Sequence, residues 1–173
     1  MEKIFSIADL KANKIVATNP VVIPDWILDA LLGLCKLEIE YTGQLICYKN
    51  IVEYPFISAS GSMGSVFPQK KIVFNDSPDY STIEFHTHPS ALGDMWSKNF
   101  SDGDYATFNN RILQEGEQYQ HVLITDKNIL TWGKYNAPDI RIGFKAIEHV
   151  VNNWNDWNAK YNSWKPIPTQ PQP

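Results

Sequence analysis

A short segment of alternating apolar and polar residues, 83–89 (IEFHTHP), constrains the fold more than any other part of the chain. The alternation predicts a half-buried β-strand, in which residues two apart point to the same face. His86 and His88 should therefore project together, and two adjacent imidazoles are a common half of a metal site. Pro89 cannot donate a hydrogen bond to a neighbouring strand, so we expect the strand to end there.

A carboxylate further along the chain is placed to act as a third metal ligand. Ser101-Asp-Gly-Asp104 has the spacing of a helix-capping box, which predicts that a helix begins there after a loop. The chain can then fold back and direct Asp104 at the two imidazoles. Two histidines, one aspartate and a water would form a metal site with one open position. The His-x-His pair is weak evidence by itself, because alternating polar residues are common on solvated strands.

Length and composition indicate one domain that does not bind nucleic acid. The chain has 173 residues, a net charge of −4 and a pI near 5.5, which is unlike the basic surface of nucleic-acid-binding proteins. No apolar run is long enough to span a membrane, and the two cysteines have no metal or redox spacing. Reduced thiols without a secretory signal predict a soluble, cytoplasmic protein.

Hydrophobic periodicity predicts an α+β domain, with a curved mixed β-sheet flanked by helices. We expect residues 1–20 to be an N-terminal extension, 21–161 to be the domain, and 162–173 to be a proline-rich flexible tail. Helices are predicted over 25–36, from 101 onward and over 139–161, and 89–100 is predicted to be a loop. Strands are predicted over 37–48, 51–58, 70–74 and 81–88, with a hairpin of 121–125 and 129–132 and a short strand at 14–18.

Three sequence motifs in order give the chain a resemblance to a known family. Glu40-x-x-Gly43-x-Leu45, then His86-Thr-His-Pro, then Ser101-x-x-Asp104 resemble the motif of the JAMM metalloproteases, also called MPN-plus or JAB-domain proteins. The order of helix, E-x-x-G-x-L strand, HTHP strand and S-x-x-D helix also fits that family. The resemblance covers about residues 20–135 and implies a single MPN/JAB-like domain with a cytidine-deaminase-like architecture.

The spacing between two of these motifs departs from the family pattern. Residues 89–100 separate His88 from Ser101, and these twelve residues are five more than the family usually has. Asp94 and Asp102 are competing carboxylates in this region. We prefer Asp104 as the ligand because it alone has a serine three residues before it. Ser97 lies near the usual place of the motif serine but has no carboxylate three residues after it.

The resemblance implies a mechanism and a class of substrate. One zinc ion per chain, held by His86, His88 and Asp104, would activate a water. Glu40 would accept the proton of that water and pass it to the leaving amine, and Ser101 would help to stabilise the oxyanion. The family cleaves peptide or isopeptide bonds after the C-terminal glycine of ubiquitin or a ubiquitin-like protein.

Several residues have alternative interpretations that the sequence leaves open. Glu38 shares a strand face with Glu40, and only the downstream motif favours Glu40 as the base. Glu84 lies on the face of the two histidines and is interpreted as supporting them or as solvated. We interpret His121 and His149 as structural or exposed, because neither has a partner nearby in sequence. Ser101 could serve only as a helix N-cap, and a thiol protease based on Cys47 lacks any signature.

Two other functions and one interaction surface also remain open. The chain could be a catalytically silent scaffold that binds a ubiquitin-like partner, or a metallohydrolase that acts on another peptide or a non-protein substrate. Trp154, Trp157 and Trp164 lie near the C terminus. They are interpreted mainly as packing residues, with an exposed patch for a homodimer or a partner subunit as the alternative.

Overall fold

The computed structural model of the protein describes residues 1–61, 72–143 and 147–164, which form one eight-stranded sheet with five helices. The strands are β1 (Glu2–Ser6), β2 (Val21–Pro24), β3 (Tyr41–Tyr48), β4 (Ile51–Ser60), β5 (Tyr80–Thr87), β6 (Gln120–Ile124), β7 (Asn128–Gly133) and β8 (Ile140–Gly143). The helices are α1 (Ile7–Lys11), α2 (Asp25–Cys35), α3 (Met95–Lys98), α4 (Asp102–Glu115) and α5 (Ile147–Tyr161). The predicted α+β class is confirmed. Within these described ranges, none of the helices combines the length and the apolar character that crossing a membrane requires.

The sheet is mixed and strongly curved. Its strand order is β1-β7-β6-β5-β3-β4-β2-β8, with parallel pairing of β5 with β6 and of β2 with both β4 and β8. The two edge strands, β1 and β8, come close together. Lys3 on β1 forms a 2.8 Å ion pair with Asp139, the residue before β8. The sheet is therefore close to a closed barrel.

Helix α2 lies within this curved sheet. It is apolar around most of its circumference, as a helix enclosed on several sides must be. Ile27, Leu28 and Leu31 are fully buried, and the helix contacts β2, β4, β5, β6 and β8. Burial of each such side chain stabilises the fold by about 1.5–3 kcal/mol. The helix begins where predicted, with the Asp25 carboxylate accepting a hydrogen bond from the Trp26 amide at 2.7 Å.

The connection from β5 to β6 positions the residues that matter for function. Parallel neighbours need a crossover, and α4 supplies it, so the N-terminus of α4 returns to the carboxyl end of β5. Ser101 is the N-cap of α4: its Oγ accepts from the Asp104 amide at 3.0 Å, and its own amide donates to Asp104 Oδ2 at 2.8 Å. The predicted capping box is confirmed, with aspartate in the place where glutamate or glutamine is usual.

The first residues of the chain belong to the sheet, although they were predicted to be an extension. β1 pairs with β7 along its whole length, and Phe5, Ile7 and Leu10 are buried in the main core. β1 pairs on one side only and has an exposed Ile4, so its pattern is weaker than that of a central strand. The short strand predicted at 14–18 is wrong, since these residues form no strand.

The long C-terminal helix begins later than predicted. Residues 140–143 form β8, parallel to β2, with Ile140 and Ile142 buried and Arg141 exposed. The spacing of Ile140, Phe144 and Ile147 fits a helical period as well, which explains the wrong prediction. The α5 helix proper is Ile147–Tyr161.

The tryptophans near the C terminus pack into the core. Trp154 and Trp164 are 1% and 3% exposed, and the Trp164 indole donates to the Pro55 carbonyl oxygen at 2.8 Å. Trp157 is half-buried and donates to Glu53 Oε1 at 3.1 Å. These side chains therefore do not form an exposed patch, and the tail that was predicted from residue 162 does not begin before Trp164. The rest of that tail, 165–173, lies outside the described residues.

Two further predictions from the sequence are only partly right. The strand predicted over 70–74 is not present at residues 72–74, and residues 70 and 71 lie outside the described part. The predicted loop 89–100 contains a 3-10 turn at Ser90–Leu92 and the one-turn helix α3. The remaining predicted strands and the β6–β7 hairpin are confirmed, except that β3 begins at Tyr41 and leaves 37–40 outside the strand.

Gly43 marks a close approach of two strands, as a glycine inside a strand often does. The register of β3 on β4 shifts between Thr42 and Gly43. A Cβ atom at Gly43 would overlap the carbonyl oxygen of Phe56, which belongs to the backbone and has no free rotamer to adopt. We therefore expect Gly43→Ala to lower the free energy of unfolding by about 1–3 kcal/mol, measured by chemical denaturation.

Gly33→Ala is the matched control for Gly43→Ala. Gly33 lies in α2, and a Cβ atom there would have nothing within 4 Å. Alanine in a helix is favoured over glycine by up to about 1 kcal/mol, so this variant should be as stable as the natural protein or more stable. Equal destabilisation of both variants would contradict the role given to Gly43.

Candidate metal centre

His86 and His88 lie at the carboxyl end of β5 and point into the same buried space. Their exposed fractions are 5% and 3%. The two Nε2 atoms are 3.2 Å apart, as expected for residues two apart on one strand face. The His88 amide donates to the Ile124 carbonyl oxygen at 3.1 Å, so the backbone pairing with β6 continues to His88, the residue before Pro89. The predicted convergence of the two imidazoles is confirmed.

Asp104 reaches the two imidazoles from the first turn of α4. Its Oδ1 is 3.1 Å from His86 Nε2, and its Oδ2 is 3.4 Å from His88 Nε2. The competing carboxylates do not take part in this cluster. Asp94 is exposed and pairs with Lys127, and Asp102 is exposed at the start of α4. The preference for Asp104 over Asp94 and Asp102 is therefore supported by their positions.

The three side chains fit a metal ion in number, type and spacing. One donor atom from each of His86, His88 and Asp104 can be chosen so that all lie within 4.8 Å of one another. Tetrahedral ligands at about 2.0–2.1 Å from an ion are separated by roughly 3.3 Å from each other. The separations of 3.1 Å from His86 Nε2 to Asp104 Oδ1 and of 3.2 Å from His86 Nε2 to His88 Nε2 are close to that value. The cluster can therefore hold one small cation.

Glu40 borders this cluster from the position immediately before β3. Its Oε1 is 3.7 Å from His88 Nε2, and the residue is only 5% exposed. Backbone contacts hold it there: the Glu40 carbonyl accepts from the Gly61 amide at 2.9 Å, and the next amide, of Tyr41, donates to Thr87 Oγ1 at 3.0 Å. Glu38 is exposed, which separates the two candidates that the sequence left open.

Burial and charge shift the protonation of these groups in different directions. Burial raises the pKa of Glu40 above its ordinary value, although His86 and His88 oppose the shift. Burial would also raise the pKa of Asp104, but His86, His88 and the Ser101 amide hold it far below its usual range. Asp104 is therefore a carboxylate at any physiological pH, as a metal ligand must be.

The segment 89–100 supplies a hydrogen-bond partner for His88. The Trp96 carbonyl oxygen lies 2.8 Å from His88 Nδ1. Because a carbonyl oxygen only accepts, His88 must carry its proton on Nδ1, which leaves the Nε2 lone pair facing the cluster. Ser97 has a structural role here, since its carbonyl accepts from Thr125 and Asn128. The segment 89–100, which is longer than the family pattern, therefore contributes a contact to the site through Trp96.

His121 is a site residue that the sequence did not reveal. It is 2% exposed, and its Nε2 lies 2.6 Å from His86 Nδ1, on the side away from Asp104. Burial, together with the charge of His86, holds the pKa of His121 well below its ordinary value. The sequence did not reveal His121 because its position depends on the parallel register of β5 on β6, which places His121 opposite Glu84.

The other candidates do not belong to the site. His149 is exposed and contacts Asn153 within α5. Burial raises the pKa of Cys47 to about 12, so its thiol remains protonated and is a poor nucleophile. Cys35 is also buried and unpaired, as predicted for reduced core thiols.

No protein-family model matches the chain, and no curated protein matches it. What the protein does is therefore inferred from the chemistry of the residues that meet at this site and from the motifs that contain them.

Replacement of a ligand should remove the bound metal, whereas replacement of a neighbouring carboxylate should not. We expect His88→Ala and Asp104→Ala to lose stoichiometric metal, measured by elemental analysis of the purified proteins after dialysis against zinc. Asp94→Asn and Asp102→Asn are the matched controls and should retain it, because both carboxylates are exposed. Loss of metal in the controls but not in the ligand variants would contradict the assigned ligands.

Metal affinity should fall on acidification, starting above pH 6.5. Burial would lower the pKa of His86, but Asp104, Glu40 and Glu84 together raise it above the usual 6.5. As the pH falls through this raised pKa, a proton competes with the ion for the ring, while Asp104 stays ionised. Affinity measured by chelator competition between about pH 5.5 and 8.5 should drop by about tenfold per pH unit for each proton displaced. An affinity independent of pH over this range would contradict the assignment of His86.

Proposed function

We propose that the protein is a zinc-dependent peptidase or isopeptidase of JAMM type. The observation that carries this proposal is the convergence of four motif residues that are far apart in sequence. Glu40, His86, His88 and Asp104 come from three separate parts of the chain, and the distances between their side chains are 3.1 to 3.7 Å. Two imidazoles and one carboxylate beside a buried glutamate form a set that can support metal-assisted hydrolysis of an amide.

Zinc fits the donor set better than magnesium or calcium. Those two ions prefer six or more oxygen ligands, whereas two of the three donors here are nitrogens. Zinc accepts mixed nitrogen and oxygen ligands in tetrahedral geometry, and a catalytic site keeps its fourth position open. The separations of 3.1 Å and 3.2 Å from His86 Nε2 to Asp104 Oδ1 and to His88 Nε2 are compatible with that geometry. The choice of zinc also follows the resemblance of the motifs to the JAMM family.

When bound, zinc supplies a Lewis acid that acidifies water and polarises the substrate carbonyl. Glu40 acts as the general base, accepting a proton at a carboxylate oxygen and delivering it to the leaving amine. Burial raises the pKa of Glu40, which favours this role because a carboxylate with a higher pKa is a stronger base towards the proton of water. Asp104 and the two histidines hold the reacting groups in place.

Ser101 combines a structural role with a catalytic one. Its Oγ accepts the capping bond from the Asp104 amide, which uses a lone pair and leaves the hydroxyl hydrogen for another acceptor. That hydrogen is proposed to stabilise the negative oxygen of the tetrahedral intermediate. The capping box fixes the serine and the aspartate relative to each other, so one local structure positions both groups.

The substrate class rests on the resemblance of the motifs. The sequence E-x-x-G-x-L, HTHP and S-x-x-D is shared with a family that cleaves after the C-terminal glycine of ubiquitin or a ubiquitin-like protein. We propose the same bond class for this protein. A cytoplasmic location stays a prediction of the sequence. A homodimer or partner subunit also stays a prediction, although the burial of Trp154 and Trp164 removes the exposed patch from which it was inferred.

Replacement of the proposed base should separate metal binding from catalysis. We expect Glu40→Gln to retain zinc and to lower kcat for cleavage by about 10²–10⁴-fold, because the amide cannot accept a proton from water. The measurement uses amide-linked fluorogenic derivatives of ubiquitin and ubiquitin-like proteins, with metal content determined on the same samples.

Glu38→Gln is the matched control for Glu40→Gln, since Glu38 is exposed and two residues away. Its kcat should equal that of the natural protein. Full activity in Glu40→Gln would contradict the assigned base. Stoichiometric zinc without cleavage of any amide substrate by the natural protein would contradict the proposed catalysis and would favour a binding scaffold.

A further inference from the structure

Behind His86, a continuous line of hydrogen-bonded side chains leads away from the metal cluster. His86 Nδ1 is 2.6 Å from His121 Nε2, and His121 Nδ1 is 2.7 Å from the Tyr119 hydroxyl. That hydroxyl is 3.0 Å from Glu84 Oε1, and Glu84 Oε2 is 3.1 Å from Arg111 Nε. His121 and Tyr119 are 2% and 7% exposed, so water does not provide an easy substitute for these bonds.

The Glu84 end fixes the direction of every bond in this line. Arg111 only donates and lies 3.1 Å from the Glu84 carboxylate, and a carboxylate only accepts, so the Tyr119 hydroxyl must donate to Glu84. The Tyr119 oxygen then accepts from His121, which must carry its proton on Nδ1. His121 Nε2 is left as an acceptor, and His86 must therefore donate from its own Nδ1. The lone pair of His86 Nε2 is then directed at the metal cluster.

The opposite direction would disable the site. If Tyr119 donated to His121, two oxygen acceptors 3.0 Å apart would face each other at Glu84 with no proton between them. His121 would then donate to His86, which would carry its proton on Nε2 and present it to the ion. A ring nitrogen that carries a proton cannot bind a metal.

We propose that Glu84 and Tyr119 set the tautomer of His121, and that His121 in turn sets the tautomer of His86 that binds the ion. The three are positioning residues, none of which touches the reacting atoms. This inference rests on the proposed metal site, since it concerns the form in which His86 meets the ion. On this inference Glu84, two residues before His86, also contributes to metal binding.

The tautomer of His121 tests the inference directly in the natural, zinc-loaded protein. The chain has four histidines, so their ring nitrogens can be assigned by two-dimensional ¹H–¹⁵N spectroscopy with long-range coupling. We expect His121 to show a protonated Nδ1 and an unprotonated Nε2. A proton on His121 Nε2 would overturn the inference, and no variant is needed to obtain that result.

Glu84→Gln tests the proposed origin of the polarity. Arg111 only donates, so the amide oxygen should turn to Arg111 and the amide NH₂ should face Tyr119. Tyr119 would then donate to His121 and reverse the line. We expect zinc affinity, measured by chelator competition, to fall by about 10–100-fold, with a shift of the His121 proton to Nε2 in the same spectra.

Glu115→Gln is the control for the loss of a negative charge. Glu115 Oε2 is 3.7 Å from the same Arg111 Nε, and this variant leaves Glu84 unchanged. Its zinc affinity should stay within about twofold of the natural value. A Glu84→Gln protein that binds zinc as tightly as Glu115→Gln would overturn the inference and leave the proposed function standing. A natural protein that binds zinc but cleaves nothing would overturn the proposed catalysis and leave the inference standing.

Discussion

The capping box at the start of α4 is the constraint on which the site depends. The Asp104 carboxylate accepts a hydrogen bond from the Ser101 amide and also faces both imidazoles. The crossover from β5 to β6 returns the chain to the end of the strand that carries His86 and His88. Asp104, which helps to cap the start of α4, is therefore also the candidate metal ligand, and its carboxylate is already directed at the two imidazoles by the capping box.

The negative charges at the site are ones that a bound cation would compensate. Glu40 and Asp104 are both largely buried, with side-chain exposures of 7% and 14%. Burying two carboxylates side by side is costly unless positive charge compensates them. Although burial lowers the pKa of His86, Asp104, Glu40 and Glu84 together raise it, so a protonated His86 ring supplies part of that compensation when no ion is bound. A divalent cation would supply two charges at once and free the ring nitrogens to act as ligands.

The parts of the site that lie close together in sequence could be predicted, and the parts joined by strand pairing could not. A strand period and a capping pattern, both of which are local, favoured His86, His88 and Asp104, whereas Glu40 was chosen only through the resemblance of its motif to the JAMM family. His121 meets His86 only because β6 lies parallel to β5 in one particular register. Nothing in the sequence near His121 specifies that register, so the residue was assigned a structural or exposed role.

The same distinction between local and non-local signals accounts for the errors in the fold. α2 was predicted correctly because its apolar periodicity is strong over eleven residues. β1 and β8 are short edge strands whose stability comes from their neighbours β7 and β2. Residues 140–143 fit a helical period and a strand period equally, and only the pairing with β2 decides between them.

Anomalous diffraction at the zinc absorption edge, from crystals of the zinc-loaded protein, tests the central claim most directly. One peak is predicted per chain, about 2.0–2.1 Å from His86 Nε2, His88 Nε2 and one oxygen of Asp104. The Glu40 carboxylate should lie beyond bonding distance, next to the open fourth position. A peak elsewhere in the chain, or one bonded directly to Glu40, would contradict the account.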